Sequence, residues 1–355
     1  MITVVGDLVE DVVVWLDGPL EYATDSPATR ILRTRGGSAA NTAARAAGIG
    51  TVPVRFIGCV GADPSGDALA ADLAAHGVEA VLQRRGRTGT VVVLVDPSGE
   101  RSMVPDRGAA TLLSDIPAEL LDGTAVLHVP AYGLLGEPAA SAVRRLLVRA
   151  ERRRIPISLD ASSVSALRAI GPGRFLALVD RLRPAVLFAN ADEARLLGLA
   201  APGYRPPPGC VVVIKDGARP ARVRVGGSEV LVPAREVPGF PARPAADARE
   251  SAEAPPDSPA THAARATPHT HPDTTGAGDA FAAGYLVALV TGTTAPEACA
   301  EAGHAAAADA LAERARAAFP APLAEAGASA SPLPPLPPLP PFAVRSADDP
   351  EGEAP

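Results

Sequence analysis

Asp273-Thr274-Thr275-Gly276-Ala277-Gly278-Asp279-Ala280-Phe281 is the stretch whose reading decides the fold. Directly after it run Ala282, Ala283, Gly284, Tyr285, Leu286, Val287, Ala288 and Leu289. This apolar, small-residue run predicts a buried helix, so the quoted residues form its N-terminal turn, with Thr274 or Thr275 as the cap. The first N–H groups of a helix have no partner inside it, and the helix dipole adds partial positive charge there. Gly276 and Gly278 let the backbone approach an anion closely, and an anion hole results. A carboxylate at Asp279 is out of place beside such a hole unless it acts as a base. Taking a proton from a hydroxyl while the hole steadies a transferring phosphoryl group uses both halves. The plainer reading is a glycine-rich helix start with a capping acid, and the rest of the chain has to choose between them.

The 355 residues are 47% hydrophobic and 21% charged, enough for one large domain with a small appendage. A net charge of -7 argues against a nucleic-acid or anionic-membrane partner. Lys215 is the one lysine, and Asp216 follows it, which excludes a Walker A loop with its Gly-Lys-Ser/Thr end. Cys59, Cys210 and Cys299 lie too far apart for metal or redox spacing, as in a reduced cytosol. No charged leader precedes an apolar run at Met1, and no apolar stretch reaches membrane length, so the protein is expected to be soluble and cytoplasmic.

Ile2 to Val5, ending at Gly6-Asp7, predicts a buried strand opening a parallel sheet, and Val12 to Trp15 continues extended. Residues 17–34, broken by Pro19 and Pro27, suit a loop or small edge strands. Gly36-Gly37-Ser38-Ala39-Ala40-Asn41-Thr42-Ala43 leads into an Ala-rich helix ending near Gly48. A strand at Val54 to Gly58, a turn at 61–66 and a helix at 67–76 follow. Strands at 78–82 and 90–95 precede a hairpin at 97–100 that returns through 101–104. From Val126 onward strands (126–129, 157–160, 186–189, 210–214) alternate with helices (138–153, 173–182, 191–197), which argues a doubly wound parallel sheet with helices on both faces. Ligands of such sheets sit at strand carboxyl ends, which makes Asp7, Asp160, Asn190 and Lys215 candidates by position. A hairpin spans 223–232, and helices are expected at 276–290 and 296–317. Residues 239–272 read as a disordered insert and 319–355 as a Pro-rich disordered tail, both passive, in preference to a tail that binds an SH3-like groove. His262, His269 and His271 fall in that insert, and no metal site is expected of them.

Gly-Gly-Ser-Ala-Ala-Asn at 36–41 and Asp-Thr-Thr-Gly-Ala-Gly-Asp at 273–279, in that order, stand with an acid-ended first strand and Asn190-Ala191-Asp192-Glu193. Together they resemble the ribokinase-like (PfkB) carbohydrate kinase family, over about residues 1–318 without the insert. The resemblance implies a three-layer α/β/α doubly wound, mostly parallel sheet with a small β lid at about 12–34 and 88–107. It implies an ATP-dependent phosphotransferase acting on a hydroxyl of a small sugar, with Mg2+. Asp279 would be the catalytic base, with Gly276, Ala277 and Gly278 as the anion hole for the γ-phosphoryl group. Asp11, Gly36, Gly37 and Asn41 would hold the sugar. Asn190 and Glu193 would help place Mg2+ and phosphates, largely through water, although the pair also reads as an ordinary capping box. Lys215, Gly217, Asp160 and Thr275 would lie on the nucleotide side, and Arg107 is a candidate lid or phosphate contact. The lid would exclude water on closing and could join two copies as a homodimer. Two alternatives remain: a nucleoside kinase, with Trp15, Tyr22 and Tyr132 the aromatic residues near candidate sites, and a non-catalytic sugar or nucleotide sensor.

The chain also departs from the family pattern. The Gly50 to Gly61 step is one residue longer, and Pro220 replaces a second glycine in the nucleotide turn. The insert enters directly before the catalytic motif, which loop-closure entropy tolerates. Helix 304–317 lacks the V-x-x-x-G-A-like ending, which puts potassium dependence in doubt. Ser38 stands where ribokinases have lysine and an acid near Ala131 is absent, so ribose is not favoured.

Overall fold

Unbroken apolar runs become strands covered on both faces, as a parallel sheet between helices requires. The computed structural model describes residues 1–97, 100–237 and 274–318, so the expected insert with its three histidines and the expected tail lie outside the described residues. In chain order, the first part holds β1 (Ile2–Val5), β2 (Val9–Leu16), β3 (Ala28–Gly36), α1 (Ser38–Gly48), β4 (Val54–Val60), α2 (Pro64–Ala75), β5 (Val78–Arg84), β6 (Thr88–Val95) and β7 (Arg101–Gly108). The middle holds β8 (Val126–Pro130), α3 (Ala139–Arg152), β9 (Ile157–Asp160), α4 (Val164–Ile170), α5 (Pro172–Leu182), β10 (Val186–Asn190) and α6 (Ala191–Leu196). The last part holds β11 (Val211–Asp216), β12 (Arg219–Val225), β13 (Ser228–Val232), α7 (Ala277–Val290) and α8 (Pro296–Ala318).

Among the described residues the main sheet has nine strands in the order β13-β12-β11-β10-β9-β8-β1-β4-β5. Pairing is parallel from β11 to β5, and β12 and β13 add an antiparallel edge. Successive strand residues point to opposite faces. Val5, Leu187 and Val212 accordingly join a core with α3 and α5, while Val4, Phe188 and Val213 join a second core with α1, α2 and α7. This is the three-layer ribokinase-like architecture expected.

A second sheet, β3-β2-β6-β7, stands where the small lid was expected. It begins at Val9 rather than near residue 12, so Asp11 is a strand residue only 8% exposed, not a solvated loop acid. Of the two expectations for residues 17–34, a loop or small edge strands, residues 28–36 take the second, as a nine-residue edge strand. Helix α2 starts at Pro64, three residues before the expected position, because Asp63 accepts from the Gly66 N–H at 2.8 Å and proline suits the first helical position. Helix α4 was not expected; Ser163 caps it by accepting from the Ala166 N–H at 3.0 Å.

The quoted apolar run is helix α7, with every residue from Ala280 to Val287 buried. It packs so closely on α8 that a methyl group on Gly284 would lie 2.5 Å from the Ala302 carbonyl oxygen, and one on Gly303 2.9 Å from the Phe281 ring. No described helix is long and apolar enough to cross a membrane.

Candidate active site

Gly276 is the N-cap of α7 in a left-handed conformation, φ 76°, which glycine adopts without steric cost. No side chain caps the helix; the Ala277 N–H donates to the Thr274 carbonyl at 3.3 Å, and the first-turn donors that follow it are the ones suited to an anion. Thr274 and Thr275 therefore do not cap it as expected. The Gly276 backbone occupies the cap position, and both hydroxyls turn to the lid, accepting from Arg101 Nη2 at 2.8 Å and Nη1 at 2.6 Å.

Asp279 follows in the first turn, half-buried, with both oxygens held by α1. Ser38 Oγ donates to Oδ1 at 2.6 Å and Asn41 Nδ2 to Oδ2 at 3.2 Å. Three residues apart on a helix, Ser38 and Asn41 share a face. Burial pushes the Asp279 carboxyl up to about 6, against the Ser38 hydrogen bond, with Asp160 adding to the rise and Lys215 and Asn41 opposing it.

Two glycines set α1 in place. A methyl group on Gly36 would lie 1.8 Å from Asp11 Oδ1, and one on Gly37, which has φ 96°, would lie 2.3 Å from the Asp7 carbonyl oxygen. Asp11 thus packs against Gly36, and the Asn41 N–H donates to the Gly37 carbonyl at 2.9 Å.

Strand order assembles the other half. Parallel register sets Phe188 beside Asp160 and Asn190 beside Lys215. Lys215 Nζ donates to Asp160 Oδ2 at 2.8 Å and to the Gly278 carbonyl at 3.4 Å, and lies 5.6 Å over the Phe188 ring. Burial pulls the Lys215 ammonium down, but Asp160, Glu193 and Asp279 outweigh it and hold it above its ordinary value. Lys215 and Asp160, read separately in sequence, are one ion pair against the N-terminal turn of α7.

Asn190 caps α6 in a complete capping box. Its Oδ1 accepts from the Glu193 N–H at 2.9 Å, while Glu193 Oε2 and Oε1 accept from Asn190 N at 2.8 Å and Nδ2 at 2.7 Å. Glu193 is 2% exposed, and burial, then Asp160, push its carboxyl up to about 7 against the pull of Lys215. Both oxygens already have donors, so this corner suits a metal held through water. Among the described residues no group of three His, Cys, Asp or Glu side chains is set to ligate a metal directly.

Of the two contacts expected of Arg107, lid or phosphate, the structure shows the lid one. It donates to Asp7 from Nε at 2.6 Å and Nη2 at 2.8 Å, and to the Tyr132 and Leu135 carbonyls at 2.7 and 2.9 Å. This nearly buried guanidinium ties the end of β7 to the end of β1, so it anchors the lid to the main sheet and is committed away from phosphate. Gly217 turns the chain between β11 and β12 at φ 59°, with no group within 4 Å of where a side chain would begin. It is not joined to the Asp279 cluster.

Sequence reading missed the Ser38 bond to Asp279, the Arg101 bonds to Thr274 and Thr275, and the Arg107–Asp7 pair. The Ser38–Asn41 spacing was a usable signal for the first. The other two depend on where the lid sits, which local pattern does not encode. A surface depression of about 350 Å3 lined by residues 115–119 and α3 shares no residue with this cluster.

Comparison with known proteins adds to this geometry. The profile of the pfkB family carbohydrate kinases matches residues 1–237 and 258–322. A fructokinase of Klebsiella pneumoniae is 28% identical over 276 residues, covering 73% of this chain and 78% of its own. An adenosine kinase of Schizophyllum commune is 29% identical over 290 residues, covering 76% of each. A probable sugar kinase of Rhizobium etli superposes with TM-score 0.68 at 23% identity, over 87% of this chain and 92% of that one. A ribokinase of Thermotoga maritima does so with TM-score 0.61 at 21% identity, over 88% and 93%. At these identities the two structures show the fold.

Proposed function

This chain belongs to the pfkB family of carbohydrate kinases, and from that premise we propose that it moves the γ-phosphoryl group of Mg·ATP onto a hydroxyl of a small sugar. The observation that carries this reading is Asp279, held by Ser38 and Asn41 in the first turn of α7 beside an uncapped glycine turn. With its pKa near 6 it is mostly ionised at neutral pH and still basic enough to accept a proton.

Asp279 takes the proton of the acceptor hydroxyl. The acceptor oxygen forms its bond to phosphorus as the bond to the β–γ bridging oxygen breaks, and ADP leaves with that electron pair. The N–H groups around Gly276, Ala277 and Gly278 stabilise charge on the transferring group. Asp11 and Asn41 hold sugar hydroxyls, while Gly36 and Gly37 let the ring approach. Asn190 and Glu193 would hold Mg2+ through water; when bound, Mg2+ neutralises phosphate charge. Lys215, paired with Asp160, keeps positive charge under Gly278 on the nucleotide side. Arg101 joins the lid to Thr274 and Thr275 and so keeps water from the site as the lid closes.

One observation favours a second reading, a nucleoside acceptor. Trp15 lies on the same face of β2 as Asp11, where a base could stack, although Arg30 already sits 5.4 Å over its ring. The deciding experiment measures ADP release from Mg·ATP across a panel of sugars and nucleosides, for the wild type and Asp279→Asn, with thermal shift as the binding readout. Turnover with a sugar, lost by roughly 10^3-fold in Asp279→Asn while sugar binding persists, is the expected result. Turnover with nucleosides alone selects the second reading. Sugar binding without any wild-type turnover means a sensor.

A further inference from the structure

Arg314 lies near the end of α8, on the side of that helix that faces α7. Gly303, Ala307, Ala310 and Arg314 follow one another at helical spacing, and Gly303 packs on Phe281 while the neighbouring Ala306 packs on Gly284. The stripe of small residues that buries α8 against α7 therefore ends in a guanidinium at the level of the α7 N-terminus. A methyl group built on Gly276 would lie 3.5 Å from Arg314 Nη2, 3.9 Å from Asp279 Oδ2 and 4.0 Å from Asn41 Nδ2. Guanidinium, carboxylate and amide thus converge on the left-handed glycine that opens the anion hole.

The turn of α8 that carries Arg314 is tied down from two sides. Arg45 of α1 donates to Glu313 in a fork, at 3.1 and 2.7 Å. This exposed pair adds little stability, but it fixes this turn of α8 to the helix that carries Ser38 and Asn41. The close α7–α8 packing fixes it to the helix that carries Asp279.

The site has a use for such a charge. A transferring phosphoryl group brings negative charge beside the Asp279 carboxylate, and a helix N-terminus offers only about half an elementary charge against it. Lys215, paired with Asp160 at 2.8 Å, supplies charge on the Gly278 side, and Arg314 lies on the Gly276 side. A guanidinium is a planar fork that matches two phosphate oxygens.

We propose that Arg314 contacts the phosphoryl group lodged at Gly276-Ala277-Gly278 and is a catalytic residue of the transfer. The assignment rests on the phosphotransferase reading, and its test separates the two. Binding is measured in the Asp279→Asn background, where turnover does not interfere, by titrating Mg·ATP and Mg·ADP into proteins with Arg314, Arg314→Lys or Arg314→Gln. Arg314→Gln should weaken ATP at least tenfold and leave ADP within twofold, because only ATP places a phosphate at Gly276; Arg314→Lys should fall between. With Asp279 intact and an acceptor found, Arg314→Gln should lower kcat by about 10^2-fold. The sugar KM should stay within twofold, and added guanidinium should restore part of the rate. Equal weakening of ATP and ADP, or a kcat within threefold of wild type, overturns the proposal. A wild type without turnover on any sugar or nucleoside overturns the phosphotransferase reading, while the ATP–ADP difference still decides Arg314. Melting curves of both variants show whether the fold is kept, and Arg314→Lys preserves length and charge if Arg314→Gln does not fold.

Discussion

Replacing Ser38 with alanine tests whether Asp279 is the base. The Ser38 hydroxyl donates to Asp279 Oδ1 at 2.6 Å, and the other oxygen is held by Asn41 at 3.2 Å. Burial has already pushed this carboxyl up to about 6, and the Ser38 bond works against that rise by favouring the ionised form. A hydrogen bond to a charged group is worth about 1.5–3 kcal/mol net, and one pKa unit corresponds to about 1.4 kcal/mol. Water can enter the space the hydroxyl leaves in this half-buried site, so the lower end applies, a rise of about one unit. The sign follows from the role: a base must be ionised, so removing the donor moves the acidic limb of kcat/KM upward, from about pH 6 to about pH 7. At pH 6 the ionised fraction falls from about one half to about one tenth, a loss of about fivefold, while at pH 8 the loss is about a tenth. The assay is kcat/KM from pH 5 to 9 for wild type, Ser38→Ala and Ser38→Thr, the last keeping a hydroxyl. Glu193 titrates nearby, at about 7, but its partners are Asn190 groups, so the Ser38 exchange leaves it alone. A loss that is uniform across pH, or a limb that moves down, refutes the assignment.

Two further outcomes follow from distances. In Gly36→Ala the new methyl would meet Asp11 Oδ1 at 1.8 Å, so the carboxylate must leave its place. The sugar KM should rise about tenfold or more with ATP KM unchanged, and an unchanged sugar KM would remove Asp11 from the sugar site. Lys215→Met strips the cation from Asp160, which is 4% exposed, and should destabilise the fold by about 3 kcal/mol in urea titration. It should also push the Glu193 and Asp279 carboxyls further up, since Lys215 lowers both. An unchanged urea midpoint would contradict the ion pair.

The chain's own pattern determined much of this protein. Alternation after Val126 set the doubly wound sheet, and the apolar run after Asp279 set a buried helix with a glycine turn in front of it. Asn190 and Glu193, three residues apart, set their own capping box. All of these are local, because hydrogen-bond periodicity and side-chain direction are decided within a few residues.

The site itself needed tertiary structure. Ser38 lies 241 residues from Asp279 and Asn41 lies 238, and Lys215 meets Asp160 across 55. Contacts at such separations depend on the order of strands in the sheet, here β9, β10 and β11 side by side, which brings Asp160, Asn190 and Lys215 together at the carboxyl ends of those strands. Lid placement likewise committed Arg107 to Asp7 and gave the threonines to Arg101. The cap expected of those threonines failed because Gly276, with no side chain, could take the left-handed turn that starts the helix by backbone alone. Sequence thus specified which groups could do the chemistry, and the sheet order with its packed helices decided which of them meet.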